Sequence, residues 1–264
     1  MNVIRFIIGA FLDLPKQFRL SYLPPLLVYL AAGISGLTAI VGTFFIKDYL
    51  NLSAAFLAGL GFWAGLPWAL KMPLGHLVDL IWKHKNYMVY FGASIIAASL
   101  LIMHGLIGHT QTMATILPVE TWYVVSVILA PIGFVVQDVV ADAMTVEAVP
   151  KYEIDGTAFS EKDIKTMHTT MQTLGRFAII SGSMLVALIN VVLFSGTETL
   201  NEEQRVALYA DVYVYALVIP LVSVLGVFLA KFLSYRTQKA ATLQERHVPA
   251  SITHERNKTE INWS

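Results

Sequence analysis

Six long apolar runs dominate the 264-residue sequence and limit what the chain can fold into. A transmembrane helix needs about 20 apolar residues to cross roughly 30 Å of hydrocarbon. Between charged residues, the runs cover 22–46, 53–80, 87–107, 122–148, 168–195 and 212–233. We therefore expect an all-α protein, a polytopic membrane bundle of six transmembrane helices.

Composition agrees with a membrane protein and excludes several functions. Charged residues make up 14% of the chain and hydrophobic residues 56%, whereas about 25% of a soluble domain is charged. The absence of cysteine excludes disulfides, thiolate catalysis and Cys-ligated metal sites. Because the 18 basic and 18 acidic residues cancel, the net charge gives no reason to expect a nucleic-acid partner. We expect no cofactor and no bound metal.

The positions of Lys and Arg predict how the spans are oriented. Only Lys47 and Arg205 fall on one side of the six runs, and Lys71 and Arg176 lie within them. The other basic residues fall on the opposite side, which the positive-inside rule assigns to the cytoplasm. We expect a multi-pass protein of the cell (inner) membrane with both termini cytoplasmic. Residues 1–21 form a cytoplasmic or interfacial segment, 22–233 the six-helix domain, and 234–264 a polar cytoplasmic tail.

Ionisable residues inside the runs are the main candidates for a functional site. Such a residue at mid-membrane costs about 2.5–3.5 kcal/mol on insertion scales, so it faces a partner or a water-filled cavity. Asp138 and Asp142 share a helix face at i, i+4 spacing. The orientation places them, with Lys71 and Arg176, in the inner half of the bundle, and we expect these four residues to form one cluster. Gln137 precedes the cluster's first aspartate and would line the same polar path.

Two roles for this cluster stay open. It could bind a solute or a coupling proton, or it could consist of ion pairs that only hold the helices in register. Asp138 with Arg176 is the first pairing to test, and Asp142 with Lys71 the second. Glu147 is rotated away from the two aspartates and is interpreted as a residue of the cytoplasmic end.

Small residues predict where helices approach each other closely. They include Gly36 in the first span, Gly61 and Gly65 in the second, and Gly182 in the fifth. The same segments carry a resemblance to a known family. Residues 26–37, 44–55, 67–79, 138–147 and 171–182 resemble the folate–biopterin transporter family of the major facilitator superfamily, in order and in the expected spans.

The resemblance implies a secondary transporter of folates, pterins or related anionic solutes, often a proton symporter. By that analogy Lys71, Asp138, Asp142 and Arg176 match charged or polar positions of the family. Lys47 and Asp48 match its outer-loop pair. Gly75, Asp79 and Lys83 resemble the superfamily's signature loop between spans two and three, although Leu80 and Trp82 replace its usual basic residue and glycine.

The superfamily fold has two six-span halves, with the solute bound between them, and this chain resembles the N-terminal half. Three explanations stay open: pairing with a second copy, pairing with a separately encoded half, or a non-transporting fragment or assembly subunit. A remote alternative is a membrane-embedded transferase that binds magnesium through Asp138 and Asp142. Residues 151–165 lack the second acidic motif typical of such enzymes, so we expect no enzymatic activity. The expected partners are the lipid bilayer, a small solute, protons and a second half.

Overall fold

The computed structural model describes residues 18–45, 52–153 and 156–247. Apart from an isolated antiparallel bridge between Tyr152 and Ala158, these ranges contain only helices, turns and irregular segments. The α-helices are α1 Leu23–Ile34, α2 Ala39–Phe45, α3 Ala54–Ala69, α4 Lys71–Leu80, α5 Lys85–Gly108, α6 Thr110–Ala114, α7 Val119–Ala148, α8 Glu161–Phe194, α9 Glu202–Tyr215 and α10 Val218–His247. Short 3₁₀ segments occupy Leu20–Tyr22, Ser35–Thr38, Trp82–His84 and Thr197–Thr199.

Five helical stretches are long and apolar enough to cross a membrane. They are Leu20–Phe45, Trp82–Gly108, Val119–Ala148, Glu161–Thr199 and Glu202–Arg236. The prediction of an all-α, multi-pass membrane bundle is therefore confirmed at that level. The first and last stretches each join two helices across a short break, at Ser35–Thr38 and at Ala216–Leu217.

The predicted second span, 53–80, is a broken helix. Ser53 caps α3 by accepting a hydrogen bond from the backbone N–H of Phe56 at 3.2 Å. The helix ends at Ala69, and Leu70 leaves helical geometry with φ −85° and ψ 3°. Pro73 has no N–H to donate to the carbonyl of the residue four positions earlier, so an unbroken helix would lose a hydrogen bond here. Each piece is shorter than a full span, and Lys71 becomes the first residue of α4.

Two pairs of glycines let helix backbones approach closely. A Cβ atom on Gly133 of α7 would lie 2.7 Å from the carbonyl oxygen of Gly92 in α5. A Cβ atom on Gly182 of α8 would lie 2.9 Å from the Cα of Gly33 in α1. Side chains at these positions would force the helices apart, so the glycines set the α5–α7 and α1–α8 distances.

The expected close contact is thus present at Gly182 but not at the other three glycines. Around Gly36, Gly61 and Gly65, a Cβ atom would meet no other atom within 4 Å in the described part of the chain. Gly61 and Gly65 lack a close contact because both lie on α3, which packs little of its surface against the bundle. Leu60 is the one buried residue of α3.

Helix α8 is the most exposed of the five long stretches. In its most apolar window 17% of the residues are buried, compared with 44% in the windows of Trp82–Gly108 and Val119–Ala148. Large apolar side chains such as Phe177, Met184, Leu188 and Val192 point away from the bundle. This α8 surface and the outer surface of α3 are therefore available to lipid or to another membrane protein.

The contacts between residues divide the chain into two compact units, and the boundary lies after Val227, within α10. The bundle described above belongs to the unit that ends there. In the second unit α10 extends to His247, so the first part of the predicted polar tail is helical. There the guanidinium of Arg236 lies 5.3 Å from the ring centroid of Phe232.

Candidate functional site

Lys71 holds two carboxylates of α7 at once. Its Nζ lies 2.5 Å from Oδ2 of Asp138 and 3.0 Å from Oδ2 of Asp142. The i, i+4 spacing places the two aspartates one above the other on α7, and the break at Leu70 places the lysine at the start of the facing helix α4. The structure thus brings together three of the four residues expected to cluster.

Tyr29 of α1 completes this charged cluster, which we define as Tyr29, Lys71, Asp138 and Asp142. Its hydroxyl donates a hydrogen bond to Oδ1 of Asp142 at 2.6 Å. Both oxygens of that carboxylate therefore have a partner, one from α1 and one from α4. The Tyr29 ring packs against α8 at Gly175, where a Cβ atom would come within 2.8 Å of the ring. The sequence analysis missed this tyrosine. Its only signal is its depth in the first span, which is similar to that of the charged residues in other spans.

The cluster is open on one side. The side chain of Asp142 is 50% exposed and that of Lys71 37%, whereas Asp138 is 14% exposed. Charged atoms exposed to hydrocarbon would be costly. This side of the bundle must therefore face water or the polar surface of another protein.

Arg176 lies beside the cluster but does not join its ion pairs. Within the described residues its guanidinium makes no ion pair with Asp138 or Asp142. Successive residues of a helix are rotated by about 100°, so a side chain next to Gly175, which contacts Tyr29, points along another face of α8. The expected Asp138–Arg176 pair is therefore not formed, since Lys71 occupies Asp138.

Arg176 instead lines an open groove of about 600 Å³ along α8. The other lining residues are mostly polar: Glu161, Ile164, Lys165, His168, Thr169, Gln172 and Thr173. They recur at helical spacing, so the first half of α8 presents a polar stripe where its second half presents an apolar one.

Gln137 faces away from the charged cluster and is buried between helices. Its amide nitrogen donates to the backbone oxygen of Val89 in α5 at 3.3 Å. Its amide oxygen accepts from the Ser223 hydroxyl of α10 at 3.0 Å. Gln137 therefore links α5, α7 and α10, and the structure does not place it with the two aspartates and Lys71.

A second lysine–carboxylate contact lies at the same end of α7, and we call Lys85 with Glu147 the end pair. The Lys85 Nζ lies 2.5 Å from Oε1 of Glu147 and 4.1 Å from the ring centroid of Trp82. It also donates to the Trp82 carbonyl oxygen at 3.5 Å. Sequence reasoning placed Glu147 at the end of its span but missed its partner, although both residues lie at helix ends on the predicted cytoplasmic side.

Among the described residues, Asp79 and Lys83 of the signature loop take no part in the ion pairs of the charged cluster. Asp79 and Lys83 are exposed, and a Cβ atom on Gly75 would meet no atom within 4 Å in the described chain. Lys47 and Asp48 lie outside the described residues.

In the ranges that the structure describes, no group of three or more His, Cys, Asp or Glu side chains could hold a metal ion. No family model, curated protein or solved structure matches the chain.

Proposed function

We propose that the chain is a six-span half of a secondary transporter for folate-like, pterin-like or other small anionic solutes, with proton coupling. The observation that carries the proposal is the open charged cluster on Lys71. The Lys71 side chain is 37% exposed, whereas that of Lys85, whose pair with Glu147 joins helix ends, is 9% exposed. A solute site needs that exposure, because the solute must reach the charged atoms.

Counting charges supports proton coupling. Lys71 and Arg176 balance Asp138 and Asp142, so this part of the bundle is neutral when empty. An anionic solute that contacts the two basic groups adds negative charge in a region where charge is costly. A proton taken up by Asp142 removes one negative charge and restores neutrality. Its exposure makes Asp142, rather than Asp138, the carboxylate that we assign to the proton.

The proposal includes a sixth span formed by α3 and α4 in sequence. Together they cover Ala54–Leu80, a length sufficient to cross the bilayer despite the break. Broken helices with a charged residue at the break are typical of transporter binding sites, where the irregular backbone lines a cavity. In this topology the bundle spans the cell membrane and both termini are cytoplasmic. The charged cluster then lies in the inner half of the bundle.

A second six-span bundle would complete the site. The polar stripe of α8 with Arg176 and the open side of Asp142 both need a polar or watery surrounding. The resemblance to the major facilitator superfamily supplies the arrangement, in which a solute binds between two halves. The second half is a second copy of this chain or a separate chain.

An uptake assay tests this function. The chain and any co-purifying partner would be reconstituted in liposomes, and folate and pterin uptake measured with and without an inward proton gradient. We expect gradient-driven uptake that falls at least tenfold for Asp142→Asn and for Arg176→Gln. Asp211→Asn is the matched control, because it makes the same change at an exposed α9 position away from the cluster. Full uptake by both Asp142→Asn and Arg176→Gln would contradict the proposal.

Native mass measured in nanodiscs from the source membrane tests the second bundle. A mass that accommodates another six-span bundle, from a second copy or another chain, supports a two-half transporter. A lone bundle would contradict this part of the proposal and favour a non-transporting fragment.

A further inference from the structure

A chamber of about 210 Å³ lies inside the bundle, among the first span, α5, α7 and α9. Six of its lining residues carry hydroxyl groups: Ser35, Thr38, Ser99, Tyr123, Ser126 and Tyr213. Its lining includes no charged side chain. The chamber therefore differs in chemistry from the charged cluster, because it offers hydrogen bonds and aromatic rings but no charge.

Some of these hydroxyls are already paired within the protein. Ser99 and Ser126 donate to each other's backbone oxygens at 2.8 and 3.0 Å, and Ser35 donates to the Ala32 carbonyl at 2.7 Å. These hydrogen bonds hold the walls of the chamber together. The three hydroxyl protons are already donated, so they are not available to a bound molecule.

The hydroxyls of Tyr123 and Tyr213 have no hydrogen-bond partner among the described residues, although both side chains are buried. Neither hydroxyl oxygen is among the fully buried, unpartnered side-chain atoms of the described residues, which belong to Tyr22 and Asn190, so both hydroxyls are open to the space beside them. The Tyr213 hydroxyl lies over Gly42, where an added Cβ atom would come to 3.3 Å from it, and both residues line the chamber. Both phenols are therefore available to hydrogen-bond a molecule in the chamber.

The chamber and the charged cluster follow each other along the same two helices. On α7, Phe134 lines the chamber and Asp138 stands four residues later, a rise of about 6 Å. On the first span, Ser35 is six residues beyond Tyr29, or about 9 Å. The 3₁₀ segment Ser35–Thr38 forms part of the chamber wall. Tyr123, at the far end of the chamber, lies 15 residues before Asp138, about 22 Å along α7, so a molecule that contacts both must be about that long.

We propose that this chamber is a subsite for the uncharged, flat, hydrogen-bonding ring of the solute, whose charged part lies at the charged cluster. The volume equals that of about seven water molecules at about 30 Å³ each, which suits a one- or two-ring heterocycle. The Tyr123, Phe134 and Tyr213 rings supply flat apolar walls, and the two free hydroxyls fix the orientation of the ring. This inference rests on the proposed function and names the part of the solute that each region binds.

Binding of unsubstituted pterin, a neutral ring without carboxylates, tests the subsite. Its fluorescence would be titrated with the full chain, and any co-purifying partner, in nanodiscs. Y123F/Y213F removes both free hydroxyls while keeping the rings. Y215F/Y235F removes two hydroxyls from exposed tyrosines and is the matched control. We expect the chamber variant to bind pterin at least tenfold more weakly, as the loss of two hydrogen bonds implies, and the control to bind it within about twofold of the original chain.

Four results would overturn the inference, and the last would also overturn the proposed function. The first is equal pterin affinity for Y123F/Y213F and the original chain. The second is an original chain that binds folate but not pterin, which rejects the subsite and leaves the proposed function standing. The third is an Asp142→Asn variant that loses pterin binding as completely as it loses folate binding, because the ring would then sit at the cluster. A chain that binds neither molecule rejects both the subsite and the function.

Discussion

The two lysine–carboxylate sites on α7 use the same chemistry in different surroundings. In the end pair, Lys85 has a side-chain exposure of 9% and contacts Glu147 beneath the ring of Trp82. In the charged cluster, Lys71 is 37% exposed and shares its charge between Asp138 and Asp142. The two sites therefore differ in the burial of the lysine: the end pair encloses Lys85 although Glu147 is 43% exposed, whereas the cluster leaves both Lys71 and Asp142 open.

The difference arises from the packing of the helix that each lysine begins. Lys85 begins α5, which packs along α7 through Gly92 and Gly133, so its side chain is enclosed. Lys71 begins α4, in which Val78 is the one buried residue. A lysine on a loosely packed broken helix stays accessible, whereas one at the start of a well-packed helix does not.

The largest effect on stability is expected from breaking the end pair. Glu147→Gln leaves the buried Lys85 ammonium without its counter-charge. We expect the free energy of unfolding to fall by about 2–3 kcal/mol, less than the roughly 3–5 kcal/mol for a fully buried pair, because Glu147 is partly exposed. Unfolding by SDS titration in mixed micelles measures this. Glu153→Gln, an exposed position after α7, is the control, and an equal loss there would refute the assignment.

An intermediate effect is expected at the better buried carboxylate of the cluster. Asp138→Asn removes the charge that Lys71 contacts at 2.5 Å. Hydrogen bonds to charged groups contribute about 1.5–3 kcal/mol, and the exposure of Lys71 reduces that value, so we expect a loss of about 1–2 kcal/mol. The same titration measures it, with Asp211→Asn for comparison. A loss larger than that of Glu147→Gln would reverse the order of the two sites.

A small stability change with a large functional change is expected for Asp142→Asn. The side chain is half exposed, so the ion pair contributes less than about 1 kcal/mol. Uptake should nevertheless fall at least tenfold, because the proposed function assigns both solute binding and the coupling proton to this residue. Parallel unfolding and uptake measurements separate the two quantities. If uptake fell only as much as the amount of folded protein, Asp142 would have a structural role alone.

The smallest effect is expected for the pair that the structure does not form. A double-mutant cycle with Asp138→Asn and Arg176→Gln should give a coupling free energy of unfolding below about 0.5 kcal/mol. The matched cycle with Asp138→Asn and Lys71→Met should give about 1 kcal/mol or more, because those side chains are in contact. Equal couplings in the two cycles would mean that Arg176 competes with Lys71 for this carboxylate.

The sequence was most informative where a charge lies in an apolar run. The length of the runs predicted a helical membrane bundle, and the cost of intramembrane charge predicted that Lys71 and two aspartates meet. Spacing on α7 predicted that Asp138 and Asp142 share a face, whereas Gln137, one residue earlier, turned out to lie between helices. Residue order along one helix fixes its faces but does not show which neighbour covers each face.

Other features depended on contacts between helices that the sequence does not encode locally. Tyr29 is an ordinary aromatic residue of an apolar run until α1 and α7 meet. Pro67 and Pro73 flank the break at Leu70 in the sequence, but the consequence of the break for Lys71 depends on where α4 lies. Small residues marked a real contact at Gly182 and none at Gly36, because glycine permits close approach without causing it.

Solute protection of a single cysteine tests the central claim, that the open side of the cluster and the polar groove of α8 beside it face water and bind the solute. The chain has no cysteine, so a thiol introduced by Gln172→Cys, beside Arg176 in the groove, would be the only one. Val192→Cys, on the exposed apolar part of α8, is the control. We predict that a membrane-impermeant thiol reagent labels the first variant from the cytoplasmic side, that folate slows this labelling, and that the second variant stays unlabelled. Labelling at the same rate with and without folate, or no labelling of either variant, would contradict the account.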